Sequence, residues 1–158
     1  MVLGLVRGGA VRPRRVRENL PLSPNEERYV RAETMTGQAY RSLSATRILG
    51  KADTSRLADF IQATCDRHEA RRTGFEPSGS GRFTKYIEDR ARVRLKTLSM
   101  PGASDEALRA AVRAHIYAKG DLSAGALHRF LLIEVGPEDH IIGIGLHHAT
   151  SDGVTSTA

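Results

Sequence analysis

Apolar positions recur along this chain in two rhythms, and each change of rhythm marks an element. From Asp53 onward the rhythm is helical: Leu57, Ile61 and His68 lie within about 20° of one line at about 100° per residue. Phe60 and Cys65 sit on the flanks of the same stripe, and Asp53 is a fitting N-cap. The pattern breaks at Arg71-Arg72-Thr73-Gly74-Phe75. A later helix opens at Ser104-Asp105-Glu106, carries Leu108, Ala111, Val112 and His115 on one face, and closes at Lys119-Gly120. A shorter helix starts where Ser23 precedes Pro24, Asn25, Glu26 and Glu27, and is expected to run to about Arg31.

The second rhythm has a period of two or is a short unbroken apolar run. Tyr40 to Leu49 reads as a strand, and Phe83 to Ile87 as another after the turn Pro77-Ser78-Gly79-Ser80-Gly81. Arg92 to Thr97 alternates a base with an apolar or β-branched residue, the pattern of a strand with one wet face. Leu127 to Val135 and Ile141 to Leu146 are joined by Gly136-Pro137-Glu138-Asp139, which predicts a hairpin whose second strand is buried on both faces. Helices and strands mix without regular alternation, so the fold class is α+β.

Composition narrows the picture. At 158 residues and 40% apolar content the chain is long enough to bury a core and too apolar to be disordered. The longest apolar run, Ile141 to Leu146, is far too short to span a bilayer. A single cysteine excludes an internal disulfide and fits a reducing, cytoplasmic compartment. The net charge of +6 suggests nucleic acid until it is located. Residues 1–20 hold five arginines and one acid, leaving 19 of the 24 bases and 17 of the 18 acids for the rest. The excess therefore belongs to a basic, flexible leader over residues 1–20, and no nucleic-acid partner is expected. Val2 to Val6 is too short, and its arginines fall on the wrong side, for a secretion signal.

The chemistry gathers at His147-His148-Ala149-Thr150-Ser151-Asp152-Gly153, directly after the last apolar run. A strand end is a rigid mount, and an imidazole titrates near neutral pH, so a histidine there can take a proton from an amine or hydroxyl. Gly153 lets the chain turn sharply, and Asp152 can hold the loop by a hydrogen bond or ion pair. A metal site would need both histidines and Asp152 to converge, yet neighbours on a strand point to opposite faces. A serine hydrolase would need a Gly-x-Ser-x-Gly elbow, which the sequence lacks. Two satisfied structural histidines at a strand exit are the remaining alternative.

The pattern His-His-x-x-x-Asp-Gly resembles the active-site motif of the condensation domains of nonribosomal peptide synthetases and of related carrier-protein-dependent acyltransferases. Arg67-His68-Glu69-Ala70-Arg71-Arg72-Thr73-Gly74-Phe75 is similar to the same family's second motif, Arg-His-Glu-x-Leu-Arg-Thr-x-Phe, with Arg71 standing where the family has Leu. Leu22-Ser23-Pro24 weakly resembles the opening motif, with Asn25-Glu26-Glu27 replacing its Gln- and aromatic-containing version. Asp121-Leu122-Ser123 through Leu127-His128-Arg129 resembles the run before the histidines. Order and spacing agree from about residue 21 to the end.

The resemblance implies a chloramphenicol acetyltransferase-like lobe, a mixed and mostly antiparallel sheet packed with helices. It implies that residues 21–158 are the N-terminal half of a condensation domain. The second lobe is expected to be missing, since the chain stops at Ala158. His148 is implied to be the general base or the group that positions the attacking amine or alcohol. His147 would orient the loop, Asp152 would organise it through an arginine, and Gly153 would leave room beside the acyl-donor channel. Arg67 and Arg72 would be ion-pair partners and His68 and Phe75 packing residues. No metal or directly bound cofactor is implied, because the acyl group would arrive on the phosphopantetheine arm of an acyl or peptidyl carrier protein. Further partners would be a second-lobe polypeptide or another copy of the chain. The alternative function is a non-catalytic half-domain that serves for interaction or docking.

Overall fold

Three capped helices and seven strands account for most of residues 17–151, the part that the computed structural model describes. Helix α1 (Pro24–Thr36) opens on a capping box: Ser23 Oγ accepts from the Glu26 N–H at 3.3 Å, and the Glu26 carboxylate accepts from the Ser23 N–H at 2.6 Å. Asp53 caps α2 (Thr54–Arg67) by accepting from the Arg56 N–H, and Ser104 caps α3 (Asp105–Ile116) by accepting from the Ala107 N–H. Helix α1 runs past its expected end near Arg31 and stops only at Gly37. There φ is 68°, and the N–H bonds the Glu33 carbonyl at 2.8 Å.

The strands form two sheets. Strands β1 (Arg17–Leu20), β3 (Thr73–Pro77) and β4 (Phe83–Ile87) make an antiparallel sheet in the order β1-β4-β3. The larger sheet has the order β2-β7-β6-β5, from β2 (Arg41–Leu49), β5 (Leu95–Ser99), β6 (Arg129–Gly136) and β7 (Asp139–His147). Its β2–β7 and β6–β7 pairs are antiparallel, while β5 runs parallel to β6 with α3 as the crossover. The expected α+β class, mostly antiparallel with packed helices, is the observed one.

Several boundaries move. Residues 17–20, assigned above to the leader, are strand β1, because pairing with β4 supplies partners that a solvated tail would not need. The leader's residues 1–16 lie outside the described residues, as do Asp152 and Gly153. The strand expected from Arg92 begins at Leu95 instead. Upstream of it the Arg92 side chain is taken by Glu88, and the Ala91 N–H by the Asp66 carboxylate at 2.7 Å. Phe60 is 69% exposed, and His68 has left the helix with extended backbone, so neither belongs to the α2 core stripe. The 100° phase that placed His68 on that stripe ends with the helix at Arg67.

The larger sheet is covered on both faces. Leu108, Val112 and Ile116 of α3 pack on Leu131 and Ile133, while Ile61 and Cys65 of α2 pack with Phe130, Ile142 and Ile144 on the other side. Gly145 is required here, since a Cβ at that position would stand 2.5 Å from the Ile116 side chain. A third cluster, Val30, Phe75, Leu127 and Ala149, ties α1 and β3 to the exit of β7. That cluster fixes where the histidine pair emerges. Among the described residues no helix is long and apolar enough to cross a membrane.

Candidate active site

Strand β7 delivers His147 as its last paired residue, opposite Arg41 of β2. His147 is fully buried, and its ring is bonded at both nitrogens. Nε2 lies 2.6 Å from a Glu33 carboxylate oxygen, and Nδ1 accepts the Ala149 N–H at 3.1 Å. A bare Nδ1 and a protonated Nε2 satisfy both contacts, which assigns the tautomer from hydrogen-bond geometry. The backbone of His147 is equally occupied. Its N–H donates to His128 Nδ1 at 3.3 Å, and its carbonyl accepts from the Thr150 N–H at 3.0 Å and from Ser151 Oγ at 2.8 Å. The turn after β7 is therefore wound around this one residue.

His148 is the first residue beyond β7, in the turn that follows the strand. Its N–H donates to the Tyr40 carbonyl at 3.0 Å, and its carbonyl accepts from Asn25 Nδ2 at 3.3 Å. The ring stacks on Tyr29 with centroids 5.3 Å apart and planes at 21°. It remains partly exposed, and no described residue hydrogen-bonds to its ring nitrogens. Asn25, Tyr29 and Glu33 are successive i, i+4 positions, so one face of α1 meets both histidines. Sequence reasoning ended this helix near Arg31 and did not collect the three. The spacing 25/29/33, extended to the Gly37 stop signal, is the sign that was available.

The electrostatics divide the pair from its surroundings. Burial pushes the Glu33 carboxyl upward. The hydrogen bond to His147 and the electrostatic pull of its ring, the charge of Arg41 and a bond from the Tyr40 backbone outweigh burial and hold it below the usual carboxylate value. Arg41 is 4% exposed and donates to the carbonyls of Leu127, Ile116 and Ala118 at 2.9, 3.1 and 3.0 Å. His128 is pushed down to about 3, first by burial and then by the charge of Arg71. It is a neutral hydrogen-bonding group at ordinary pH. Glu33, Arg41 and His128 were not singled out as site residues from the sequence, because their partners lie far along the chain.

The second motif lies beside this knot. Arg72 is buried and donates Nη1 to the Glu88 carbonyl, and the Nε of Arg72 and Nη1 of Arg71 have no partner among the described residues. Arg67 and His68 are exposed. Neither Arg67 nor Arg72 forms an ion pair with another described residue. Phe75 is fully buried in the cluster that carries Ala149. Among the described residues no three His, Cys, Asp or Glu side chains converge as a metal site.

Comparison with known proteins agrees with this layout. The family described as Condensation domain matches residues 16–158. Tyrocidine synthase 2 of Brevibacillus parabrevis is 29% identical over 153 residues, covering 95% of this chain and 4% of the synthase. Tyrocidine synthase 3 of the same organism is 29% identical over 150 residues, or 93% of this chain and 2% of that synthase. The chain thus spans only a small part of the length of either relative. The crystal structure of the starter condensation domain of rhizomide synthetase RzmA superposes with a TM-score of 0.73 at 19% identity. That superposition covers 85% of this chain and 34% of the other.

Proposed function

This chain belongs to the condensation-domain family, and from that premise we propose that it carries the reacting histidine of a condensation-type acyl transfer. The supporting observation is the mounting of His148. Its backbone is bonded on both sides and its ring is stacked on Tyr29, while its ring nitrogens are left free of described protein partners. A histidine held this way is positioned by the fold and available to a substrate. In the proposed step an amine or alcohol attacks the carbonyl carbon of an acyl thioester. The new C–N or C–O bond forms, the C–S bond breaks, and a His148 nitrogen takes the proton from the nucleophile and returns it to the leaving thiolate. The acyl group is proposed to arrive as substrate on a carrier protein's phosphopantetheine arm. His147 orients the turn, Asp152 is assigned to hold it through an arginine, and Gly153 to leave space beside the acyl group.

The test is amide or ester formation between donor- and acceptor-loaded carrier proteins, with the chain alone and with a polypeptide that supplies the remainder of the fold. His148→Ala should lower product formation by about 100-fold or more, the usual scale of a lost general base. Equal product from both chains would remove His148 from the mechanism.

A second reading, an interaction module without catalysis, is favoured by a different observation. Met35, Leu49 and Phe60 are 86%, 78% and 69% exposed, and the chain spans about a third of the rhizomide structure. Exposed apolar side chains of this size suit a partner surface, either a second lobe or another copy of the chain. Sedimentation showing a monomer that binds no second-lobe polypeptide would count against it.

A further inference from the structure

We propose that Glu33 is a positioning residue for His148: by accepting the Nε2–H of His147 it locks the turn 147–151 in the arrangement that stacks His148 on Tyr29. The proposal rests on the reading of His148 as the reacting histidine, and adds to it a residue nearly three turns into α1 that touches His147.

Glu33 is 6% exposed, and an unpaired carboxylate at that depth is costly, so its partners decide whether the site is stable. It has one short side-chain bond, to His147 Nε2 at 2.6 Å, a bond from the Tyr40 backbone, and the nearby charge of Arg41. An apolar side chain would fill the same volume beside Val30 without that cost. What it could not do is accept the His147 proton. The bond matters because the opposite nitrogen, Nδ1, holds the Ala149 N–H at 3.1 Å. With both nitrogens engaged the ring can neither flip nor change tautomer without losing a contact. Ala149 is in turn 5% exposed in the cluster with Val30 and Phe75, so the residues on both sides of His148 are pinned.

Glu33 and Tyr29 lie four residues apart on α1, one touching each histidine. The helix therefore acts as a gauge that sets the two rings relative to each other. Loss of the Glu33 contact frees the His147 ring and, with it, the peptide that orients His148. A displacement of about 1 Å at a reacting group is enough to cost about 100-fold in rate.

Two substitutions separate positioning from mere support. Glu33→Gln keeps the shape and an accepting carbonyl oxygen, and Glu33→Leu keeps the bulk but accepts nothing. The readouts are nitrogen-15 spectra, which distinguish protonated from bare ring nitrogens of His147, and the displacement of the His148 ring-proton signals by the Tyr29 ring. Wild type and Glu33→Gln should both show the Nε2–H tautomer and a displaced His148 signal. In Glu33→Leu the tautomers should mix, and the His148 signal should move towards that of free histidine. In the carrier-protein assay Glu33→Leu should lose about 10- to 100-fold in kcat with KM unchanged, and Glu33→Gln should restore most of it.

A folded Glu33→Leu with an undisturbed His148 signal overturns the proposal. So does a Glu33→Gln chain that loses the signal as Leu does, because the accepting atom would then not be what matters. If Glu33→Leu fails to fold, the wild-type and Gln spectra decide, and an Nδ1–H tautomer in either overturns it. Absence of acyl transfer in every chain would sink the catalytic reading of His148 while the ring signals still judge Glu33.

Discussion

One face of β7 changes character over three alternate residues. Gly143 and Gly145 sit under α3, where a Cβ would crowd Val112 at 3.1 Å and collide with Ile116 at 2.5 Å. Two residues further on, His147 lies among Glu33, Arg41 and His128, fully buried and hydrogen-bonded on every side. The change falls where α3 ends. Its last carbonyls have no helical partner, and the Arg41 guanidinium takes that of Ile116 and that of Ala118 just beyond the helix. A buried cation at that point calls for a compensating anion, and Glu33 stands close enough for its charge to be felt. The dry end fixes the strand by volume. The polar end uses charge and hydrogen bonds to aim two rings.

The two ends should therefore fail differently. Leu131 is fully buried against α3, and Leu131→Ala should cost about 2–5 kcal/mol, read as a lower urea midpoint. The loss should be the same at pH 5 and pH 8, because the side chains in the core cluster around Leu131 are apolar. A loss below about 1 kcal/mol would mean that α3 does not clamp the sheet at this point.

The polar end should instead tilt stability with pH. In the folded chain His128 stays neutral down to about 3, whereas in the unfolded chain it takes a proton near its ordinary value of 6.5. Between these values the unfolded state binds more protons, so stability falls as pH falls, by at most about 1.4 kcal/mol per pH unit for one group. His115, lowered first by burial, tilts the curve in the same direction. Glu33, held below 4.5, contributes fully above 4.5 and loses that contribution as the pH falls from there through its own lower value. The window from 6.5 to 4.5 therefore belongs mainly to His128. Urea titrations at several pH values should show the slope, and His128→Asn should flatten it; an unchanged slope would reassign it to other groups.

This contrast also explains what could be read from the sequence. The caps at Ser23, Asp53 and Ser104 are local chemistry, and each appears where its side chain predicted it. The hairpin and the histidine pair at its exit follow from two apolar runs and a four-residue turn. The rest depends on distance along the chain. Glu33 and His147 are 114 residues apart, and Asn25 and His148 are 123 apart, so no local pattern announces either contact. Strand β1 looked like a charged tail because Arg17-Glu18-Asn19 carries no apolar alternation, and only pairing with β4 makes it a strand. Asp152 and Gly153 remain assignments from resemblance, beyond the described residues.

The smallest effect should come from Tyr29, and it divides the polar end itself. Tyr29 stacks on His148 and is half-buried beside the cluster of Val30 and Phe75. Tyr29→Leu keeps the apolar body but loses the aromatic stack, worth about 1 kcal/mol, so the urea midpoint should shift only slightly. The His148 ring signal should nevertheless lose its displacement, because the ring current that causes it is gone. The His147 tautomer should stay as it is, since its partners Glu33 and Ala149 are untouched. Glu33→Leu is expected to disturb both rings and Tyr29→Leu only one. If Tyr29→Leu also mixes the His147 tautomers, control runs in both directions between the two rings. A one-way order from Glu33 through His147 to His148 would then have to be given up.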